Sequence, residues 1–190
     1  MPKVTRAKKV EQQVDDPSGP VFFWRPSTIH GYLGQWYPSP FTYIEPDGRE
    51  IHYENAEQYM MHRKGLLFAP EDSITALILQ IMNPKAIKAL GRLVPNFNEK
   101  VWIQNRYQIV VDGNYLKFAQ NKDLKEQLLA TGDRELIEAS PVDRVWGVGS
   151  GWKNAEKQRD RWGLNLLGKA LMEVRDKLKA AEGVSTGEII

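Results

Sequence analysis

Two spacings of apolar residues divide this chain. Val21-Phe22-Phe23-Trp24 and the stretch from Phe41 to Ile44 are short apolar runs of strand length. The turn Tyr37-Pro-Ser-Pro-Phe41 enters the second run, and Pro46-Asp47-Gly48 leaves it for Glu50-Ile51-His52-Tyr53, which predicts a β-hairpin. Leu136 to Ala139 predicts a further strand. Elsewhere the helical spacing dominates. Asn55 is a good N-cap, with Gln58 three residues on, and its helix is expected to stop near Gly65. Ser73 to Met82 carries Ile74, Leu77, Ile78 and Ile81 at helical intervals. Asn83-Pro84 opens a third helix that ends at Gly91-Arg92. Asn98 caps a longer one with Trp102, Ile103, Arg106, Tyr107 and Val110 on its face. Gly113 costs that helix about 1 kcal/mol relative to alanine, so a kink or break is expected there. Asp123 is expected to cap Leu124 to Thr131, closed by Gly132. A last helix from about Gln158 to Ala181 would bury Leu164, Leu167, Leu171, Val174 and Leu178.

The pattern predicts an α+β fold: a mainly helical single domain with a small β-sheet. Residues 20–181 form this domain, and residues 1–19 and 182–190 read as flexible tails. Lys3, Arg6, Lys8 and Lys9 in the first tail are nearly cancelled by Glu11, Asp15 and Asp16. With 190 residues, 42% hydrophobic and 26% charged, the chain suits one soluble core. A net charge of +2 does not by itself argue for nucleic acid. The absence of cysteine excludes disulfides, zinc-thiolate sites and cysteine nucleophiles. His30, His52 and His62 have no ligand spacing, so no metal or cofactor is expected. No apolar run approaches the roughly 20 residues needed to cross a bilayer, and no signal core opens the chain. The expected location is cytoplasmic, with entry to the nucleus also allowed.

Candidate chemistry concentrates in two regions. Glu57 and Lys64 lie seven residues apart in one predicted helix, which returns them to within about 20° of the same direction. A carboxyl and an amine facing one pocket can transfer protons or attack a carbonyl; a solvated surface helix would show the same spacing. The second region is the glycine-rich loop from Ser140 to Trp152, where Asp143 and Arg144 stand beside Trp146. A tryptophan wall with glycine gaps suits a planar ring, and equally a surface loop covering the core. Gly147-Val-Gly149-Ser-Gly151 lacks the spacing and context of a dinucleotide loop. Arg92, just past a helix end, could grip a phosphate or merely complement helix carbonyls. Gly163 and Gly168 flank Asn165 within the predicted last helix, which suggests close packing or a ligand there. Of the tryptophans, Trp36, Trp102 and Trp146 sit near these polar candidates.

Several ordered blocks carry a family resemblance over about Phe22 to Leu178: Tyr37-Pro-Ser-Pro-Phe41, Ala56-Glu57-Gln58-Tyr59-Met60, Lys64, Gly91-Arg92, Trp102, Lys117-Phe118, Thr131-Gly132, Glu138-Ala139-Ser140-Pro141, Asp143, Trp146-Gly147 and Asn165-Leu-Leu-Gly168. On these the chain resembles the NADAR (YbiA-like) family. It departs from the family at Gly34-Gln35-Trp36, where Ser-Asn-Phe is usual, at Gln58 in place of His, and at Met61 in place of Gln. The resemblance implies an N-glycosidase acting on ribosylated bases, either phosphorylated ribosylamino-pyrimidines of riboflavin synthesis or ADP-ribosyl-guanine. It implies small ribosyl or ADP-ribosyl substrates, with ADP-ribosylated nucleic acid as a further partner and no cofactor or metal. By the same resemblance Glu57, Lys64 and Asp143 would be catalytic, and Trp36, Tyr59, Arg92, Trp102, Trp146 and Asn165 would bind substrate. An ADP-ribose or nucleotide binding module without turnover is the alternative.

Overall fold

Among the described residues four short strands form two small two-stranded sheets. The structure, a computed structural model, describes residues 13–187. Strand β1 (Val21–Phe23) pairs in parallel with β4 (Leu136–Glu138), Val21 opposite Leu136 and Phe23 opposite Glu138. Strand β2 (Phe41–Ile44) pairs antiparallel with β3 (Glu50–Tyr53) as the hairpin pattern predicts. Helices make up the rest: α1 (Ala56–Phe68), α2 (Ser73–Ile78), α3 (Pro84–Gly91), α4 (Glu99–Gln120), α5 (Lys122–Ala130), α6 (Trp152–Ala155) and α7 (Leu166–Gly187). The class is α+β and mainly helical, as the periodicity indicates.

Helix α1 packs against α2, α3 and α4, and α4 packs against α7. Their shared core holds Val21, Phe23, Leu33, Val111, Phe118, Leu136, Leu167 and Leu171, all essentially solvent-free. Each such side chain contributes about 1.5–3 kcal/mol relative to exposure.

Several boundaries differ from the sequence pattern, each for a local reason. Helix α1 runs past Gly65 to Phe68 because Gly65 is a close-approach position for Thr75 of α2, not a stop. Helix α4 continues unbroken through Gly113, where the Tyr59 ring lies against the missing side chain. Helix α2 closes early, at Ile78. The cap position of α5 falls to Asn121, which leaves Asp123 in the first turn. The start of the expected last helix, Gln158 to Arg161, falls instead in a 3-10 turn over Glu156–Arg161 that follows α6, and α7 begins only at Leu166. Backbone N–H groups of Gly163, Leu164 and Asn165 are taken by carbonyls of Val148, Arg144 and Gly147, so a helix cannot continue there. Leu164, expected in the core, is about half exposed as a result.

Asp15 pairs with Arg134 at 2.6 Å and with His30 at 3.0 Å, so ordered contacts begin before residue 20. At the other end α7 carries on to Gly187. Lys3, Arg6, Lys8 and Lys9, with the rest of residues 1–12, and residues 188–190 lie outside the described residues.

Candidate active site

Glu57 occupies the first turn of α1, whose start is fixed twice over. Asn55 Oδ1 accepts from the Gln58 backbone N–H at 3.0 Å, and Gln58 Oε1 accepts from the Glu54 N–H at 2.8 Å. The Gln58 amide also donates to the Ile78 and Ile81 carbonyls, tying this turn to the end of α2. The Glu57 N–H donates to Gln35 O at 3.1 Å, which brings the Gly34-Gln35-Trp36 stretch alongside. A carboxylate in the first helical turn is ordinarily favoured by the helix dipole. Here burial wins: Glu57 is 2% exposed, its Oε1 has no partner, and its pKa is raised to about 7. Desolvation is the largest cause, partly opposed by the Lys88 charge and a hydrogen bond from the Trp36 indole.

Two turns later Lys64 faces the same way. Its Nζ donates to Gly91 O at 2.6 Å and stands 4.3 Å from the Phe97 ring centre and 5.7 Å from that of Trp102. Burial, then the neighbouring Arg92 charge, push its pKa down. Lys88 and Arg92 come from the end of α3, one turn apart.

The loop after β4 supplies the remaining wall. Asp143 Oδ1 accepts from the Val145 N–H at 2.9 Å and the Trp146 N–H at 2.8 Å, an Asx turn that sets the indole of Trp146. Together these elements enclose a cavity of about 460 Å³ lined by Gln35, Trp36, Glu57, Lys64, Lys88, Arg92, Trp102, Glu138, Asp143 and Trp146. That volume suits a small metabolite. Its floor is apolar where Met60, Met61 and Leu167 reach it.

The domain model of the NADAR family matches residues 22–179. The chain belongs to the NADAR family. An N-glycosidase of Acanthamoeba polyphaga mimivirus is 41% identical over 147 residues, covering 76% of this chain and 86% of that one. An N-glycosidase of Nostoc punctiforme is 31% identical over 156 residues, covering 80% and 93%. The solution structure of YbiA from E. coli superposes with a TM-score of 0.66 at 24% identity, covering 93% and 94%, and shares the fold. These NADAR relatives named for an activity are hydrolases of N-glycosyl bonds.

In this NADAR domain seven of the nine sequence candidates line the one cavity: Glu57, Lys64, Asp143, Trp36, Arg92, Trp102 and Trp146. Tyr59 does not. It points to the other side of α1, into a cluster with Phe41 and Tyr53, because one residue position is 100° around a helix and two are 200°. Asn165 is also outside the cavity. Its backbone is left-handed (φ 49°), and its side chain bridges the Leu136 carbonyl at 2.9 Å and the Glu138 N–H at 3.1 Å. It fastens the start of α7 to β4.

Among the cavity residues assigned no role from the sequence are Gln35, Lys88 and Glu138. Gln35 Nε2 and Glu138 Oε2 are buried without partners, like Glu57 Oε1. Strand alternation carries the signal for Glu138, since it shares a face with Leu136, which is wholly buried. For Lys88 the signal is its four-residue offset from Arg92.

Proposed function

We propose that this NADAR protein is an N-glycosidase that hydrolyses the bond between C1 of a phosphorylated ribose and a base nitrogen. The observation that carries this reading is the Glu57 carboxyl, buried with an unpartnered oxygen at a cavity that also receives Lys64 and Arg92. A buried carboxyl with pKa near neutrality exchanges protons readily at physiological pH. Glu57 acts as the acid/base group and, when ionised, stabilises the positive charge that develops on the ribose. Burial lowers the pKa of Lys64, and its amine, once neutral, adds to the aldehyde of the opened sugar and, with loss of water, forms a Schiff base. Arg92 at the mouth takes the phosphate, Asp143 the ribose hydroxyls, and Trp36, Trp102 and Trp146 the planar base.

Phosphorylated ribosylamino-pyrimidines are the favoured substrates. A Vibrio vulnificus relative, 29% identical over 163 residues, is named a riboflavin biosynthesis protein, which supports this class. The match covers 39% of that longer chain. The test is release of ribose 5-phosphate from these compounds, alongside release of ADP-ribose from ADP-ribosylated guanine. Wild type should turn over the first class, and Glu57→Gln should lose about 10³-fold in kcat/KM. Lys64→Ala should lose about 10–100-fold, consistent with stabilising an opened sugar after bond cleavage. Tight ADP-ribose binding by wild type with no product from either class would replace this reading with the binding module.

A further inference from the structure

We propose that Glu138 is the proton donor to the departing base nitrogen, which leaves Glu57 to act on the attacking water. The assignment rests on the N-glycosidase reading and divides its acid/base work between two carboxyls.

The backbone of Glu138 is held from three directions. Its N–H donates to Asn165 Oδ1 at 3.1 Å, its carbonyl accepts from Val148 N at 3.0 Å, and the next N–H, of Ala139, donates to Phe23 O at 2.8 Å. Strand alternation then directs the side chain inward beside Leu136, where it lines the same cavity as Glu57. Carboxyls that serve the fold elsewhere in this molecule have partners. Glu45 meets Arg63 at 3.1 Å, and Glu173 meets Lys177 at 2.9 Å and the Tyr107 hydroxyl at 3.0 Å. Glu138 Oε2 is buried and has none. Glu138 is half-buried as a residue, with Oε2 closed off from solvent, and a carboxyl oxygen enclosed without a donor favours the neutral form, which carries a proton to give.

The charges facing it reinforce this. Asp143 from the loop and Glu57 from α1 oppose its ionisation, whereas Lys88 from α3 favours it. Burial is the largest influence, and the pKa rises to about 8. The Trp36 indole and the first turn of α1 favour the ionised form of Glu57, whereas Glu138 Oε2 has no donor, so the shared proton is assigned to Glu138. In the step, the C1–N bond breaks with its electron pair going to nitrogen, and the Glu138 proton moves onto that nitrogen. A water oxygen bonds to C1 while Glu57 takes the water proton. Exchange with solvent then returns Glu138 to the acid and Glu57 to the carboxylate.

The experiment compares wild type and Glu138→Gln on two leaving groups. A phosphorylated ribosylamino-pyrimidine needs its nitrogen protonated, whereas nicotinamide leaves nicotinamide mononucleotide as a neutral ring without a proton. Glu138→Gln should lose about 10²–10³-fold in kcat/KM on the first and less than about fivefold on the second. Wild type is expected to show an alkaline limb near pH 8 on the first, and the residual rate of Glu138→Gln should lack it. Equal losses on both leaving groups, or no loss on the first, overturn the assignment. Where nicotinamide mononucleotide is not cleaved, an alkaline limb unchanged in Glu138→Gln overturns it. Should Glu138→Gln fail to fold, Glu138→Asp takes its place and should keep the alkaline limb at reduced kcat; loss of that limb overturns the assignment. A wild type that cleaves neither compound sinks the glycosidase reading itself, whereas active wild type with fully active Glu138→Gln removes Glu138 alone.

Discussion

Two of the regions that bury ionisable groups treat them in opposite ways. In the cavity Glu57 and Glu138 are pushed up by burial and keep unpartnered oxygens. On α4 the Lys117 amine is wholly buried and pushed down to about 7, yet it donates to Tyr32 O at 2.7 Å and Gly34 O at 3.0 Å. The Phe118 ring lies 4.9 Å from it. Two N–H bonds are all a neutral amine has to give, so Lys117 is fully used. Those carbonyls belong to the turn that leads into Gln35 and Trp36, so Lys117 anchors one wall of the cavity from behind. A shifted pKa alone therefore does not separate the two regions. An unpartnered polar atom beside open space does.

The comparison breaks most visibly at Glu57. The thousandfold loss expected in Glu57→Gln corresponds to about 4 kcal/mol of transition-state stabilisation. Thermal stability should hold or rise, because a neutral amide replaces a group whose charge is disfavoured. A large fall in melting temperature would make Glu57 a structural residue like Lys117.

Lys117→Met should do the reverse, with a destabilisation of about 2–4 kcal/mol at pH 9 from two orphaned carbonyls. The sign of its pH dependence is fixed. The folded pKa of about 7 lies below the ordinary 10.5, so this amine's contribution is complete above 10.5 and is lost as pH falls through 7. Urea melts should show the gap between wild type and Lys117→Met widening as pH rises from 6 to 10. A gap that narrows over that range rules the anchor out.

The carboxyls slope the other way. Their folded pKa values exceed the ordinary 4.5, so their contribution is complete below 4.5 and is lost as pH rises through 7 to 8. Wild type should lose up to about 1.4 kcal/mol per pH unit per group across that window. His62, pushed down to about 4 by burial, works against this below 6.5. The difference between wild type and the Glu57→Gln, Glu138→Gln double variant isolates the carboxyls, and a difference independent of pH would contradict their burial. Smallest of all is Tyr59→Phe. Its ring packs on Gly113 away from the cavity, so kcat/KM should stay within about threefold. A tenfold loss would return Tyr59 to the site.

How far the site could be read in advance varied with the kind of signal. The seven-residue spacing of Glu57 and Lys64 specified a shared face, and both line the cavity. Tyr59 enters the expected site only through the family resemblance of its block, and a helix turns residues two apart to different faces. Glu138 passed as an ordinary strand residue because alternation gives a face but not what lies opposite it. Gly65 and Gly113 looked like helix breakers, since their contacts come from Thr75 and Tyr59, distant in sequence or on another helix.

The order of strands and helices, the hairpin, the caps at Asn55, Asn83 and Asn98, and the shared face of Glu57 and Lys64 were determined by the sequence alone. Each depends on residues within one or two turns of each other, where propensity and spacing act directly. Which sheet each strand joins, where the final helix begins, and which buried polar atoms go without partners were decided only by tertiary structure. Burial and hydrogen-bond satisfaction are properties of segments brought together from far apart, as Asn165 meets β4 and Lys117 meets Gly34.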